Sequence, residues 1–276
     1  MSDDADADNT ERTAPVRGKR PAQGEPVIDR AFSILHSFDP SHRHLGLNEL
    51  SRRAGLPVSS TLRIARQLMS WGALERDEHG RFCIGVRLYE LAASAPRGHG
   101  IRNVALPFLH DLAEATRQHV LLAVRDGHEA ILLERISDHQ AMPVLYHVGG
   151  RLPLHSTGVG LALLAFESSQ FRESYLSRSL VRMPEQQPVD ATQLRRLIAE
   201  IRREKSVIFR RRVPTPILSV AAPVWGADEQ LAGAISVVVP DDGYDPRRLL
   251  PALQTSSKSL SRVLGAGLPA VPPGDE

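Results

Sequence analysis

Residues 45–85, LGLNELSRRAGLPVSSTLRIARQLMSWGALERDEHGRFCIG, decide the fold of the N-terminal part of this chain. The first half predicts a short helix, because its apolar residues recur at helical spacing: Leu47, Leu50 and Ala54. Gly55 and Pro57 then break that helix, since glycine tolerates a left-handed turn and proline opens a new helix but cannot continue the last one. A second helix is expected over 58–71.

This second helix has two chemically different faces. Its apolar stripe consists of Thr61, Ile64, Ala65, Leu68 and Met69. Its polar face consists of Ser59, Ser60, Arg63, Arg66 and Gln67. Two helices joined by a tight glycine-containing turn form a helix-turn-helix unit, whose second helix enters the DNA major groove. We therefore expect the serine hydroxyls to contact phosphates and Arg63 or Arg66 to contact a guanine edge.

A hairpin is predicted directly after the second helix, with the polar turn 77–80 between the short apolar segments 74–76 and 81–84. A hairpin in this position is the wing of a winged helix-turn-helix. Arg76 and Arg81 on its strands are then expected to face the phosphate backbone of DNA. The alternative is a small helical subdomain with a solvated Arg/Ser face.

Length, charge and cysteine content define the class of protein. A chain of 276 residues suggests two domains, and its formal net charge is only +2. Residues 27–97 hold ten Arg, no Lys and seven acids, a net +3 where the DNA-binding unit is predicted. Cys83, the only cysteine, cannot form an intrachain disulfide and is expected to be buried. No membrane-spanning apolar run or signal core is visible, so a cytoplasmic protein without a membrane partner is expected.

The segments before the helix-turn-helix have simple interpretations. Residues 1–26 are poor in large apolar side chains and are predicted to be a disordered tail. A first amphipathic helix is expected over 28–38. His42 and His44 in the following polar loop form an H-x-H pair, which either holds a metal or is simply solvated. The second alternative is favoured because neither cysteine nor an acidic partner lies close by, and we predict neither metal nor cofactor.

After the wing, a linker helix is predicted over 86–95 and a Pro/Gly break ends it by residue 100. The DNA-binding domain is thus assigned to 27–85, the linker to 86–100, a second domain to 101–264 and a loose tail to 265–276. The second domain is expected to mix helices and antiparallel hairpins, an α+β architecture. The helices are predicted at 101–117, 156–166, 169–177, 190–205 and 245–264. The strands are predicted at 119–125, 129–136, 144–148, 207–213, 218–225 and 231–239, with a loop at 149–155.

The second domain contains one candidate ligand site, at the start of the helix predicted over 156–166. Ser156-Thr157-Gly158-Val159-Gly160 combines small residues with free helix N–H groups, which favour a carboxylate or phosphate. The alternative is an ordinary Ser/Thr cap with glycines for close packing. The segment is not a dinucleotide fingerprint, because the third glycine and the preceding strand are missing. Arg210 to Arg212 alternate sides on their strand, and a solvated edge is the favoured interpretation.

Four collinear segments resemble the IclR (isocitrate lyase regulator) family of bacterial transcription factors. They are GLNELSRRAGLP at 46–57, GRFCIGVRLYELA at 80–92, VGGRLPLHSTGVGLALLAF at 148–166 and SVAAPV at 219–224. The resemblance implies an N-terminal winged helix-turn-helix, a linker helix and a C-terminal GAF-like α/β domain that binds a small effector. It also implies a homodimer or a dimer of dimers that acts as repressor or activator. Such an assembly reads a pseudo-palindromic operator in double-stranded DNA, with dimer contacts expected on the helices at 28–38 and 86–117.

The resemblance also implies the effector-binding positions, which fall on Ala141, Val144, Gly158, Val159, Phe209, Ser219 and Ser236. At three places this chain departs from the family pattern: an acid is replaced by Phe209, a cysteine by Ser219 and a serine by Val238. The pocket loses a carboxylate and gains a ring, so we expect an aromatic or otherwise apolar organic acid rather than a short keto acid. The alternatives are a degenerate pocket that leaves an effector-independent regulator, and an enzyme. The enzyme is disfavoured because G-x-S-x-G, H-E-x-x-H and phosphate-loop motifs are missing.

Overall fold

The structure, a computed structural model, describes residues 26–95, 100–139, 141, 144, 146–178, 180, 190–211 and 215–266. The chain divides into two compact units, Met1–Tyr89 and Glu90–Glu276. Nearly all of the predicted N-terminal tail, most of the predicted 96–100 break and most of the 265–276 tail lie outside the described residues. No helix in the described part of the chain is long and apolar enough to cross a membrane.

Before residue 86, the described residues of the N-terminal unit form three helices and a two-stranded hairpin. They are α1 (Val27–Leu35), α2 (Leu47–Ala54), α3 (Val58–Ser70), β1 (Leu74–Arg76) and β2 (Phe82–Ile84). Gly55 ends α2 with φ 66°, the left-handed conformation that its lack of a Cβ permits. Leu45 and Phe82 exchange two backbone hydrogen bonds of 2.9 and 2.8 Å, which tie the hairpin to the segment before α2. The core of the unit is formed by Ile34, Leu45, Leu50, Ile64, Ala65, Leu74 and Phe82.

Two details of this unit differ from the sequence expectations. Helix α1 ends at Leu35 rather than at residue 38. After Leu35 the Ser37 and Phe38 N–H groups donate to the carbonyls of Ile34 and Leu35, three residues back, so a tighter turn closes the helix. Cys83 is only half-buried, with its Sγ 3.7 Å from the Glu75 carbonyl oxygen, because alternate strand residues point away from the core.

Helix α4 (Val86–Ala93) contains the boundary between the units, and the second unit continues with five helices and six strands in its described residues. The helices are α5 (Ile101–Thr116), α6 (Gly158–Phe166), α7 (Ser169–Leu176), α8 (Ala191–Glu204) and α9 (Leu250–Val263), with short 3-10 turns at Ala227–Glu229 and Pro246–Arg248. The strands are β3 (His119–Asp126), β4 (Glu129–Ile136), β5 (Arg151–Pro153), β6 (Val207–Arg211), β7 (Ile217–Trp225) and β8 (Leu231–Pro240). The α+β class is confirmed.

One antiparallel sheet, in the order β5-β4-β3-β8-β7-β6, organises this unit. One face of the sheet packs against α6, α7 and α8, and we call it the α6 face. The other face packs against α5 and α9. Strands β7 and β8 are therefore covered on both sides, which explains why their sequences read as continuous apolar runs rather than as alternating ones.

The strand predicted over 144–148 is wrong. Its described residues form no strand, and the third element of this meander is instead β5, inside the predicted loop at 149–155. The Tyr146 carbonyl accepts a hydrogen bond from the Arg135 side chain, and the Tyr146 ring is buried in the core on the α6 face. A buried irregular segment satisfied by a side chain has the same apolar pattern as a strand, so periodicity does not separate them.

Candidate DNA-binding surface and ligand pocket

Helix α3 buries its apolar stripe and exposes its polar face. Thr61, Ile64 and Ala65 are buried. Of the predicted DNA-binding residues on this helix, Ser60 is half-buried. The other four are exposed: Ser59, Arg63, Arg66 and Gln67. Neither Arg63 nor Arg66 forms an ion pair or hydrogen bond within the described residues, so both guanidinium groups remain available to an external anion.

The start of α3 leaves its first N–H groups free. Pro57 occupies the N-cap position without a side-chain hydrogen bond, and the first turn carries no acidic residue. The first backbone bond of the helix is donated by the Thr61 N–H to the Pro57 carbonyl, at 2.9 Å. The N–H groups before it, including those of Ser59 and Ser60, therefore point outward at the positive end of the helix dipole, which favours a phosphate.

The two arginines of the wing have different environments. The Arg76 guanidinium lies 4.5 Å above the Phe82 ring, a cation–π contact that leaves its charge uncompensated. Arg81 instead donates from Nε to an oxygen of Asp77 at 2.8 Å, and its backbone N–H donates to the same carboxylate at 2.9 Å. Desolvation by burial acts to raise the pKa of Asp77, but the hydrogen bonds from Arg81 outweigh it and lower that pKa. Asp77 therefore neutralises Arg81, and Arg76 is the wing residue better suited to a phosphate.

The histidines of the α1–α2 loop have structural partners. His42 Nδ1 lies 2.9 Å from an oxygen of Asp39, and Arg53 donates to the same carboxylate at 2.6 Å and to the Ser37 carbonyl at 2.7 Å. His44 Nδ1 lies 3.1 Å from Asp77. Across the described ranges, no cluster of three or more His, Cys, Asp or Glu side chains has a metal-binding arrangement.

The predicted ligand site lies where the start of α6 meets the sheet. Thr157 caps α6 by accepting a hydrogen bond from the Gly160 N–H at 3.1 Å. A Cβ on Gly158 would overlap Ser219 Oγ and lie 2.9 Å from Ser219 Cβ, so the helix start sits directly on β7. In the sheet, Phe209 is opposite Ser219, and Ser219 is opposite Val238 on β8. These side chains share the α6 face with Val159 and with the half-buried Val144.

Polar groups are buried around this helix start. The side chains of Ser156, Ser219 and Ser236 are almost completely buried. The Ser156 and Ser236 hydroxyls have no hydrogen-bond partner in the described part of the chain. A buried hydroxyl without a partner costs free energy, and such groups mark a place where a polar ligand or water binds. Ala141, another of the predicted effector-binding residues, lies in a turn after β4, where its N–H donates to the Asp138 carbonyl at 3.1 Å.

Arg211 and Tyr146 are site candidates that the sequence analysis missed. The solvated edge expected for Arg210–Arg212 is wrong for Arg211, which is only 4% exposed, whereas Arg210 is exposed and pairs with Asp241. Strand alternation identifies Arg211 as a residue of the inner face, because Val207, Phe209 and Arg211 must share one face of β6. Burial raises the pKa of Tyr146, while the nearby Arg211 acts to lower it, so the phenol stays protonated at neutral pH.

The architecture is that of a DNA-binding protein with a winged helix-turn-helix and a separate α/β domain. The model of the IclR helix-turn-helix domain matches residues 27–78, and that of the bacterial transcriptional regulator IclR C-terminal domain matches residues 93–262. The chain belongs to the IclR family of bacterial transcriptional regulators.

Known relatives cover nearly the whole chain. The Pca operon regulatory protein of Acinetobacter baylyi is 25% identical over 246 residues, 86% of this chain and 88% of the relative. The HTH-type transcriptional repressor AllR of Escherichia coli is 23% identical over 261 residues, 90% of this chain and 96% of AllR. Among solved structures, an IclR homologue from Microbacterium hydrocarbonoxydans complexed with 4-hydroxybenzoate is 30% identical with a TM-score of 0.80, covering 87% of this chain and 99% of that one. These relatives are named as regulators rather than as enzymes.

Proposed function

We propose that this protein is a sequence-specific transcriptional regulator whose affinity for its operator changes when a small organic acid binds at the start of α6. The observation that carries the DNA-binding part is the exposed polar face of α3 with the unpaired Arg63 and Arg66. Ser59, Ser60 and Gln67 complete the proposed contact surface on the helix, and Arg76 and Arg81 flank it on the wing. A bidentate arginine–guanine pair discriminates by about 1–3 kcal/mol, which makes α3 the source of sequence preference.

A homodimer is part of this proposal. One recognition helix reads few base pairs, whereas two copies on a two-fold axis read a pseudo-palindrome with half-sites one helical turn apart. In the N-terminal unit, α1 and the start of α4 expose large apolar side chains. They are Val27, Ile28 and Phe32 on α1, and Val86 and Tyr89 on α4. Exposed large apolar side chains of this kind are typical of a protein–protein interface. We propose that a second copy of the chain covers them.

The effector is proposed to be an aromatic acid. Phe209 lies on the α6 face opposite Ser219 and gives the site an apolar ring. Ala141, Val144, Gly158, Val159, Ser219 and Ser236 are the other proposed lining residues. The bound 4-hydroxybenzoate in the Microbacterium homologue supports a ligand of this chemical class. Linkage then sets the size of the response, because an effector that prefers one state shifts operator affinity typically by about 5- to 150-fold.

The proposal is tested with the full chain and a promoter fragment selected by the purified protein from genomic DNA. Binding is titrated by mobility shift at fixed salt, alone and with 4-hydroxybenzoate or pyruvate in excess. The proposal expects a sequence-specific complex whose affinity changes at least fivefold with the aromatic acid and less with pyruvate. A sequence-specific complex whose affinity changes with neither acid would indicate an effector-independent regulator. A preference for pyruvate would contradict the aromatic class, and loss of sequence preference would contradict the DNA-binding part.

A further inference from the structure

A buried guanidinium without an anionic partner among the described residues lies on the α6 face of the sheet. The side chain of Arg211 is 4% exposed, and its Nε has no hydrogen-bond partner in the described part of the chain. Its one hydrogen bond among those residues runs from Nη1 to the Tyr146 hydroxyl at 3.0 Å, and the guanidinium also lies 5.3 Å from the centre of the Tyr146 ring. No carboxylate of the described residues pairs with it. A phenol and a ring face do not balance a full positive charge.

This arrangement is costly for a structural residue. Buried charges in proteins are normally paired, because removing an ion from water without a partner costs several kcal/mol. Arg210, the preceding residue of the same strand, shows the ordinary solution, because it remains exposed and pairs with Asp241. The buried Nε of Arg211, left without a partner in the described part of the chain, is therefore the expected signature of a site that is completed by an anionic ligand.

The position of Arg211 connects it with the proposed effector site. It follows Phe209 by two residues on β6, so the two side chains leave the same face of the strand about 7 Å apart. Phe209 is opposite Ser219, on which the start of α6 packs. The proposed site thus contains a cation at Arg211 and a ring at Phe209. Near the start of α6 it also contains helix N–H groups and the Ser156 and Ser236 hydroxyls, which have no partner in the described residues.

We propose that Arg211 binds the carboxylate of an aromatic acid, that the ligand's ring packs against Phe209, and that a second oxygen substituent of the ligand is bound near the start of α6. Tyr146 is a positioning residue, because its hydroxyl fixes one arm of the guanidinium and leaves Nε for the ligand. This inference rests on the proposed function and adds to it the orientation of the ligand and the residue that selects for its carboxylate.

Isothermal titration calorimetry of the full chain with 4-hydroxybenzoate and 4-hydroxybenzamide tests the inference. The two probes share the ring and the hydroxyl and differ in the charge of the group assigned to Arg211. We expect the wild-type protein to bind the acid at least tenfold more tightly than the amide. Arg211→Met should weaken acid binding at least tenfold and abolish the preference, whereas Arg210→Met should leave both affinities within twofold of wild type. Tyr146→Phe should reduce the preference without abolishing it.

Folding does not obscure the result. Removal of an unpaired buried charge should leave the melting temperature of Arg211→Met unchanged or raised, and the acid/amide comparison on wild type needs no variant. Equal binding of the two probes, or an acid preference that survives in Arg211→Met, would overturn the inference while the proposed effector site stands. If neither probe binds, both the inference and the aromatic-acid part of the proposed function fail, and DNA binding by α3 is unaffected.

Discussion

Gly158 shows how a single missing methyl group shapes the proposed ligand site. Its Cα rests on Ser219 so closely that an added Cβ would overlap the serine hydroxyl and approach Ser219 Cβ to 2.9 Å. Both partners are backbone-anchored, one on a helix and one on a central strand, so neither moves without displacing a larger element. Glycine at this position therefore allows the start of α6 to pack directly on the sheet, where we propose that the N–H groups before Gly160 meet the ligand.

Replacement of Gly158 by alanine should destabilise the protein. Alanine favours a helix over glycine by up to about 1 kcal/mol, but overpacking in a close-packed core costs about 1–3 kcal/mol. The net change in the free energy of unfolding should therefore be a loss. Urea unfolding of Gly158→Ala is expected to show this loss, with Gly158→Ala/Ser219→Gly regaining part of it. Gly100→Ala is the matched control, because nothing lies within 4 Å of its added Cβ. Equal stability of the two alanine variants would contradict the close contact.

At the scale of elements, the sequence predicts helices and strands that have a regular apolar pattern. It does not predict an irregular segment whose polar groups are bound by tertiary contacts. Helix α3 and the β3–β4 hairpin follow from periodicity and turn chemistry, because one face of each pattern must be buried. The same reasoning fails for the segment around Tyr146, because the Tyr146 carbonyl accepts a hydrogen bond from the Arg135 side chain rather than from a neighbouring strand. Arg211 is not at the expected solvated edge, although charge normally indicates exposure to solvent. Strand alternation places it on the face of Val207 and Phe209, but the sequence alone does not show that this face is covered.

The wing is an element whose stability should depend on pH through Asp77. The pKa of Asp77 is lowered in the fold, so its carboxylate stabilises the wing above the ordinary pKa of about 3.9. This contribution is lost as the pH falls through the lowered folded-state value. Melting curves should therefore show a steeper loss on acidification below about pH 5 for wild type than for Asp77→Asn. The exposed neighbour Glu78→Gln serves as control, and a wild-type slope in Asp77→Asn would refute this role.

At the scale of the whole molecule, function is divided between a unit that contacts DNA and a unit built around one sheet. The N-terminal unit leaves apolar side chains exposed on α1, including Ile28 at 68% and Phe32 at 55%. Exposed apolar side chains of this size are typical of a protein–protein interface, and we propose that a second copy of the chain covers them. Two recognition helices would then engage one operator.

Phe32→Glu tests this arrangement. A charge placed in an apolar interface is desolvated without a partner, so the variant should sediment as a smaller species and lose operator affinity at least tenfold. Val148→Glu introduces the same charge at an exposed apolar residue of the other unit and should change neither. Unchanged sedimentation of Phe32→Glu, measured alongside circular dichroism to confirm folding, would remove α1 from the interface.

We propose that the polar face of α3 reads operator DNA. The most direct measurement is a titration of the selected promoter fragment at fixed salt with wild type, Arg63→Ala and Arg196→Ala. Arg196 is an exposed arginine on α8, so its replacement changes the net charge equally. Arg63→Ala should bind at least tenfold more weakly without loss of folding, because it removes a base contact worth about 1–3 kcal/mol, and Arg196→Ala should bind like wild type. Wild-type affinity in the Arg63→Ala variant would contradict the account.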